Sequence, residues 1–291
     1  MSNSKTGSFP DFSIIVQKMA KALKHFLLFV LLTLFTQIGG IVWILFLPIA
    51  AQITRKLGAT WKIRILNFSF FLVFYSLASI LIVPPLAKWQ TGRVPLPVFS
   101  HPDLKPLNYF YFCFLNHHYV KPSVKASCEK AAEKLAAKFP GTKLYYLDAN
   151  FPFFDGYPLE PHFTHRHGTT VDIALHWLDK NGKPIDGTPV DLAYGASATP
   201  LLGEVDLDEK CHSWNRSIEM KIARHFYNEK NYQLDNERTA ALIRLFCEDK
   251  SVKKILLEPH LKTRLGLQRF DKIRFQGCRA ARHDDHFHVI W

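Results

Sequence analysis

The residues best suited to metal chemistry form two clusters that lie far apart in the chain of 291 residues. The first cluster, His165–Asp172, reads HRHGTTVD, and the second, His283–His288, reads HDDHFH. Imidazole nitrogens and carboxylate oxygens are common protein ligands of zinc. His286 and His288 are two positions apart, so on a strand both side chains leave the same face. The sequence therefore predicts that the two clusters meet at one metal site.

His165, Asp172 and His288 are the predicted metal ligands. Two imidazoles and one carboxylate would leave a fourth position open for water, which is the arrangement of a catalytic zinc site rather than a structural one. Asp172 belongs to the segment TTVDIALHWL (169–178), in which apolar and polar residues alternate as in a half-buried strand. Since an unpaired buried carboxylate is costly, this position favours a role for Asp172 in binding a cation.

The two motifs together resemble those of a known group of zinc proteins. H-x-x-G-x-x-x-D, followed far downstream by H-x-H, resembles the lysostaphin / D-Ala-D-Ala peptidase / hedgehog group. The fuller ending H-x-x-H-x-H is similar to that of the penicillin-insensitive murein endopeptidases. The membrane part of the chain, described below, lies outside this resemblance.

The resemblance implies a role for each residue of the two clusters. His165, Asp172 and His288 match the zinc ligands, His286 matches the catalytic histidine, and His283 matches an additional active-site histidine. Zinc activates a water molecule and polarises a carbonyl group, while a histidine transfers the proton. The division of tasks between His283 and His286 stays open at this point.

The elements around the clusters predict an α+β domain, a small antiparallel sheet with flanking helices that carries the zinc site. A helix is predicted in 122–141, where apolar residues follow helical spacing, and a second one at 236–247, which Asp235 would cap. A further helix is predicted near 214–227. Beside 169–178, strands are predicted at 143–149, at 252–259 and in the last six residues, HFHVIW, and the Asn181-Gly182 pair predicts a hairpin turn.

Charge and hydropathy divide the chain into two unequal parts. Residues 1–89 contain nine Lys or Arg but a single acidic residue, Asp11, and so carry most of the net charge of +12. Two apolar runs, 25–53 and 65–89, each exceed the roughly 20 residues that cross a bilayer. Basic residues beside apolar runs are typical of membrane proteins, so the charge does not indicate a nucleic-acid partner.

These patterns predict a domain order and an orientation. We expect a tail (1–24), a membrane anchor with two hydrophobic segments (25–89), a proline-rich linker (90–108) and a zinc peptidase-like domain (109–291). The basic residues of 54–64 favour the cytoplasm, which places the C-terminal domain outside. Lys18, Lys21 and Lys24 in the tail oppose this arrangement, and a first run that is broken at Gly39-Gly40 is the alternative that leaves both basic segments inside.

All five cysteines follow the membrane segments: Cys113, Cys128, Cys211, Cys247 and Cys278. In an oxidising compartment some of them would form disulfides, and because their number is odd at least one stays outside any intramolecular pair. The chain contains no C-x-x-C motif, so a structural zinc ribbon is not expected.

Together with the two apolar runs, the resemblance implies a membrane-anchored zinc metallopeptidase of the bacterial cytoplasmic membrane. Its catalytic domain is expected on the periplasmic or extracellular side, where the resemblance implies that it hydrolyses peptide bonds of peptidoglycan that involve a D-amino acid. The choice between endopeptidase and D,D-carboxypeptidase stays open. The alternatives are a non-catalytic zinc-binding domain that binds a cell-wall ligand or a protein partner, and a structural domain without a metal.

Overall fold

The computed structural model divides the chain into two compact units, Met1–Ile80 and Leu81–Trp291. The predicted helix near 214–227 lies outside the residues that the structure describes. These described residues are 12–159, 165–190, 194–207, 211, 231–278, 280 and 282–291.

The first unit consists of apolar helices. These are α1 (Phe12–Thr36), α2 (Gly39–Leu57) and α3 (Trp61–Leu77). A π-helical turn, Ala78–Ile82, continues α3 into α4 (Val83–Thr91). By length and composition, three helical stretches of the described chain can cross a membrane: Phe12–Thr36, Gly39–Leu57 and Trp61–Thr91.

The predicted anchor of two segments within 25–89 therefore differs from the three apolar helices of the structure. The first apolar run is divided because the chain turns at Gln37, whose φ is +65°. Gly39 and Gly40 then allow the start of α2 to lie directly on α1. A Cβ atom at Gly40 would lie 2.0 Å from the Thr33 hydroxyl oxygen, so only glycine permits this approach. The break at the glycine pair, which the sequence offered as an alternative, is present.

The second unit is an α+β domain, as predicted. In the described part of this unit, the α-helices after α4 are α5 (Pro122–Lys138), α6 (Asn236–Glu248) and α7 (Pro259–Arg264), and Tyr109–Phe114 forms a π-helical segment. Asp235 caps α6 by accepting a hydrogen bond from the Arg238 amide. Its strands are β1 (Val94–Pro95), β2 (Leu104–Pro106), β3 (Tyr119–Val120), β4 (Leu144–Tyr146), β5 (Thr170–Ala174), β6 (Trp177–Asp179), β7 (Tyr232–Leu234), β8 (Lys254–Leu256), β9 (Ile273–Arg274) and β10 (His286–Ile290).

The segment predicted as a linker, 90–108, contains structured parts of the domain. It contributes β1, which pairs with β3, and β2, which pairs with β4. Leu96 and Leu104 of this segment are 1% and 0% exposed and belong to the main apolar core. The second unit therefore has no separate linker: it starts at Leu81, within the third candidate span, and continues directly into β1.

A six-stranded sheet in the order β2-β4-β5-β10-β8-β9 organises the domain. Its four middle strands are antiparallel, as predicted, whereas the outer pairs β2-β4 and β8-β9 are parallel. β10 lies between β5 and β8, so the last strand of the chain is a central one.

One face of this sheet is covered by α5 and α6, and the main core lies between these layers. Val171 and Ile173 of β5 point into it, and so do Phe287 and Val289 of β10. Phe246 of α6 contacts the Phe287 ring at a centroid distance of 6.1 Å. Burial of each such side chain contributes about 1.5–3 kcal/mol, so the alternation of β5 and β10 is strongly fixed.

The hairpin predicted at Asn181-Gly182 is present in a minimal form. Gly182 has a φ of +75°, and its amide donates to the Asp179 carbonyl. A single bridge between Leu178 and Pro184 joins the two arms, while β6 forms its longer pairing with β7.

The structure pairs two of the five cysteines. Cys211 and Cys278 form a disulfide, with 4.9 Å between their Cα atoms, whereas Cys113, Cys128 and Cys247 carry free thiols. The disulfide joins two chain segments that are 67 positions apart, and its second cysteine precedes the histidine cluster of β10.

His176, which follows β5, makes the stability of the domain dependent on pH. Burial, assisted by the charge of Arg238, lowers the pKa of His176 from 6.5 to about 3. Below about pH 6.5 the unfolded chain takes up a proton that the folded domain rejects, so the stability contribution is complete above that pH and is lost towards pH 3. We predict that the apparent Tm of the detergent-solubilised protein falls more steeply from pH 6.5 to about 4 than that of His176→Phe.

The control for this comparison is Val252→Ala. This change removes buried apolar volume but does not add or remove a titratable group. This variant should lower Tm by a similar amount at each pH. If His176→Phe shows the pH dependence of the unmodified protein, the buried imidazole is not its source.

Candidate metal centre

The sheet register places three predicted site residues on one face. Asp172 of β5 lies directly opposite His288 of β10, and Ala174 lies opposite His286. Because residues directly opposite each other share a face, Asp172, His286 and His288 project away from the core that Val171 and Phe287 fill. The alternation predicted for β5 is therefore what presents the carboxylate to the two imidazoles.

His165 reaches the same place from the loop that precedes β5. Its Nδ1 donates a hydrogen bond to the Ala149 carbonyl, which leaves Nε2 directed at the sheet. This nitrogen lies 3.1 Å from Asp172 Oδ1 and 3.3 Å from His288 Nδ1. A backbone carbonyl that holds the remote nitrogen of a ligand histidine is the usual way of fixing its tautomer and orientation.

The three atoms form a nearly equilateral triangle. The third side, from His288 Nδ1 to Asp172 Oδ1, is 3.1 Å. An ion with bonds of about 2.0–2.1 Å in tetrahedral geometry separates its ligands by about 3.3 Å, so the triangle fits one such ion. His165, Asp172 and His288 are buried, and together they can hold a metal ion.

Asp172 determines the electrostatics of the centre. Burial disfavours a charged imidazole at His165, but the Asp172 carboxylate outweighs it and raises the pKa of His165 above 6.5. Asp172 itself is 0% exposed. A carboxylate in such surroundings requires a positive partner, and either a proton on His165 or a metal cation can provide the positive charge.

The loop that carries His165 is fixed by buried polar contacts. Asn150 accepts a hydrogen bond from the Gly168 amide at 3.0 Å and donates one to the Thr170 carbonyl at 2.9 Å. Gly168 has a φ of +73°, and a Cβ atom there would lie 2.9 Å from Arg93 Nε. The glycine of the H-x-x-G motif is thus required by both its backbone conformation and its neighbour.

His286 lies beside the triangle and is oriented by a carboxylate. Its Nδ1 contacts Asp285 Oδ1, and its Nε2 lies 3.8 Å from Asp172 Oδ2. With Nδ1 donating to Asp285, Nε2 is the atom that can accept a proton in the site, and Asp285 stabilises the resulting imidazolium. The ring of Tyr194 contacts the His286 ring at a centroid distance of 4.7 Å.

His283 completes the group of predicted residues. Its amide donates to Glu258 Oε1 and its carbonyl accepts from the Glu258 amide, both at 3.2 Å. Its ring lies 4.3 Å from that of His288 and 5.0 Å from that of His286. These three histidines form a second group that can hold a metal, and it shares His288 with the first group.

A network of buried polar residues behind the site was missed in the sequence. The Asp148 carboxylate accepts from Tyr194 Oη and contacts His117 Nδ1 at 2.7 Å. The Asp148 carbonyl also accepts from the Asp172 amide at 2.8 Å. The network thus supports both Asp172 and the tyrosine beside His286. The available signal was Asp148 at the end of the apolar strand segment KLYYLDA, where a carboxylate needs partners.

The structure brings all five residues singled out in the sequence to one buried place: His165, Asp172, His283, His286 and His288. Their separate roles as ligands and catalysts stay predictions. Asp285, Glu258, Asp148 and Tyr194 join them as supporting residues. No model of a known protein family matches this chain, and no match is found among curated proteins.

The triangle predicts which side chains a bound metal depends on. We expect the purified protein to contain about one metal ion per chain and Asp172→Ala or His288→Ala to contain less than about a tenth of that, because each change removes one of three ligands. Elemental analysis by mass spectrometry measures this without an assumption about the element.

The matched control is Asp271→Ala. This aspartate is exposed and precedes β9 at the edge of the sheet, away from the triangle. It should keep the metal. Full metal content in Asp172→Ala would show that the triangle is not a metal centre.

Proposed function

We propose that the chain is a membrane-anchored zinc metallopeptidase that hydrolyses peptide bonds of peptidoglycan. The observation that carries the proposal is the triangle of His165, Asp172 and His288 with the imidazole of His286 beside it. One carboxylate and two imidazoles in a buried triangle with the spacing of tetrahedral ligands favour zinc over magnesium or calcium, which prefer oxygen ligands.

The residues beside the triangle provide acid–base chemistry. A zinc ion in the triangle would supply activation of a water molecule near neutral pH and polarisation of the scissile carbonyl. His286 Nε2 accepts the proton of the attacking water, and Asp285 stabilises the charge that develops on the imidazole. His286 then delivers the proton to the leaving amine. Tyr194 and Glu258 fix the positions of His286 and His283 during these steps.

The substrate is proposed from the motif resemblance and from the location of the domain. The two motifs resemble those of enzymes that cleave peptidoglycan peptides. In the substrates of those enzymes, a D-amino acid flanks the peptide bond that is cleaved. A disulfide such as Cys211–Cys278 is typical of domains outside the reducing cytosol, where peptidoglycan lies.

Three crossings remove the conflict in the topology of the chain. If α1, α2 and α3-α4 each cross the bilayer, the start of α1 and the turn between α2 and α3 lie on the same side. The start of α1 and the turn between α2 and α3 are both basic. By the positive-inside rule these two segments would lie in the cytoplasm, and the C-terminal domain would lie outside. The basic residues concerned are Lys18, Lys21, Lys24, Arg55, Lys56, Lys62 and Arg64.

A second candidate function is a zinc domain that binds a cell-wall ligand or a protein partner without cleaving it. The closeness of His283 to His288 favours this alternative. If His283 occupies the fourth ligand position, the centre is closed, as structural zinc sites are. His283→Ala distinguishes the two, because it lowers metal content in a closed site and leaves it unchanged in an open catalytic one.

The proposed topology predicts which side of the membrane each segment faces. In intact cells, a membrane-impermeant maleimide should label Leu202→Cys, a fully exposed position of the C-terminal domain, and leave Ala59→Cys in the turn between α2 and α3 unlabelled. Labelling of the unmodified protein gives the background from its native cysteines, which is subtracted. In permeabilised cells, both variants should be labelled. The reverse pattern in intact cells would place the domain in the cytoplasm.

The proposed mechanism predicts that metal binding and catalysis separate at His286. His286→Ala should keep the zinc content and lower the rate of muropeptide cleavage by about 10²–10⁴, the usual effect of removing a general acid–base group. Zinc is measured by elemental analysis and cleavage by liquid chromatography with mass spectrometry.

The control is His167→Ala, an exposed histidine that lies two positions from His165. It should keep both zinc and activity. Loss of zinc from His286→Ala would make this histidine a ligand, and full activity would remove it from the mechanism.

A further inference from the structure

The C-terminal domain packs directly against the end of the third candidate span. α4, the last part of that span, belongs to the same compact unit as the domain and packs against β1. Val83 and Ala87 of α4 are 3% and 0% exposed, although the span is otherwise largely exposed. The domain therefore covers the final turns of the helix instead of hanging on a flexible linker.

The first contacts beyond the helix lead to the loop that carries a metal ligand. The hydroxyl of Thr91, the last residue of α4, donates to the Pro152 carbonyl at 2.8 Å. The Lys121 ammonium group donates to the Thr91 carbonyl. Pro152 and His165 both belong to the stretch of chain between β4 and β5, so the part of this stretch at Pro152 is attached to the end of the membrane helix.

Arg93 provides the main connection. Two residues after the helix, its buried guanidinium group donates to the carbonyls of Phe151 and Phe153 and to that of Arg166 at 2.9 Å. Its Nη2 also pairs with Asp155. One arginine thus holds both ends of the loop, and Arg166 is the neighbour of the predicted ligand His165.

These contacts limit the height of the metal centre above the bilayer. Two extended residues span about 7 Å, and the Arg93 side chain adds about as much, so His165 lies within about 30 Å of the last residue of α4. Two aromatic side chains at this end of the domain are strongly exposed. Trp89 is 82% and Phe154 is 59% exposed, as expected of side chains that lie in the interfacial region of a membrane.

We propose that the metal centre acts on peptides that are attached to lipid in the same membrane, and not on free peptides or on wall material far from the bilayer. This inference rests on the proposed function. The chemical class of the substrate is a peptide that is linked through a polar spacer, such as a sugar, to a membrane lipid. A substrate in the same membrane has a higher effective concentration at the centre than a free peptide has, and the contacts of Thr91 and Arg93 keep the centre near the end of the membrane helix.

The test uses the full-length, zinc-loaded protein in lipid vesicles. One D-amino-acid-containing peptide is offered free in solution or attached to a vesicle lipid through polar spacers of increasing length. We expect the attached peptide to be cleaved about 10² times more efficiently than the free one, with full efficiency already at spacers of about 30 Å. Equal cleavage of the free peptide, or cleavage only with much longer spacers, would overturn the inference.

The same samples separate this inference from the proposed function. If the free peptide is cleaved well, the peptidase proposal stands and the membrane-held substrate is excluded. If no peptide is cleaved by the zinc-loaded protein, the peptidase proposal fails, and the inference fails with it.

A measurement without catalysis tests the geometry directly. A fluorophore on Phe154→Cys should be quenched by a nitroxide on the lipid headgroups. The same fluorophore on Asn181→Cys, in the exposed turn beyond the other end of β5, should be quenched less. Equal quenching at both positions, or none at position 154, would show that the loop does not lie at the membrane.

Discussion

The fully buried Asp172 carboxylate is the constraint on which the rest of the domain depends. It lies at the centre of a sheet, directly opposite His288 and 3.1 Å from His165. A charge in this position is unfavourable unless a cation or a proton compensates it. The neighbouring strands, the His165 loop and the polar network behind them are arranged so that imidazoles surround it. Any alteration that shifts β5 relative to β10 by one residue would turn the carboxylate into the apolar core.

The supporting contacts explain why the centre can be precise although its residues come from distant parts of the chain. Backbone groups determine most positions: Ala149 holds His165, Asp148 holds the Asp172 amide, and Glu258 holds both backbone groups of His283. Such contacts tolerate little movement, because each buried donor or acceptor would lose its partner.

The sequence predicted the parts of the structure that local rules control. Alternation fixed the faces of β5, and helical spacing with the Asp235 cap fixed α6, because these patterns depend on neighbours in the chain. The partners of the site were not accessible in this way. Tyr194 and Glu258 meet the site histidines only through the fold, and no spacing relates them. Asp148 could be recognised as a carboxylate that needs partners, but its partners could not be named. The division of the first apolar run depends on the close approach of Gly40 to Thr33. This is a contact between two helices, and hydropathy describes only the apolar character of single residues.

The location of His286 and His288 on the last strand does not weaken the centre. A terminal segment frays when few contacts hold it, but β10 is hydrogen-bonded to β5 on one side and to β8 on the other. Trp291, the residue after β10, donates its amide to the Thr169 carbonyl at 2.9 Å and packs against Phe246. To release His288, the chain would have to open the middle of the sheet and expose the core beneath Phe287. His286 and His288 therefore lie on a segment that can open only together with the middle of the sheet and the core beneath it.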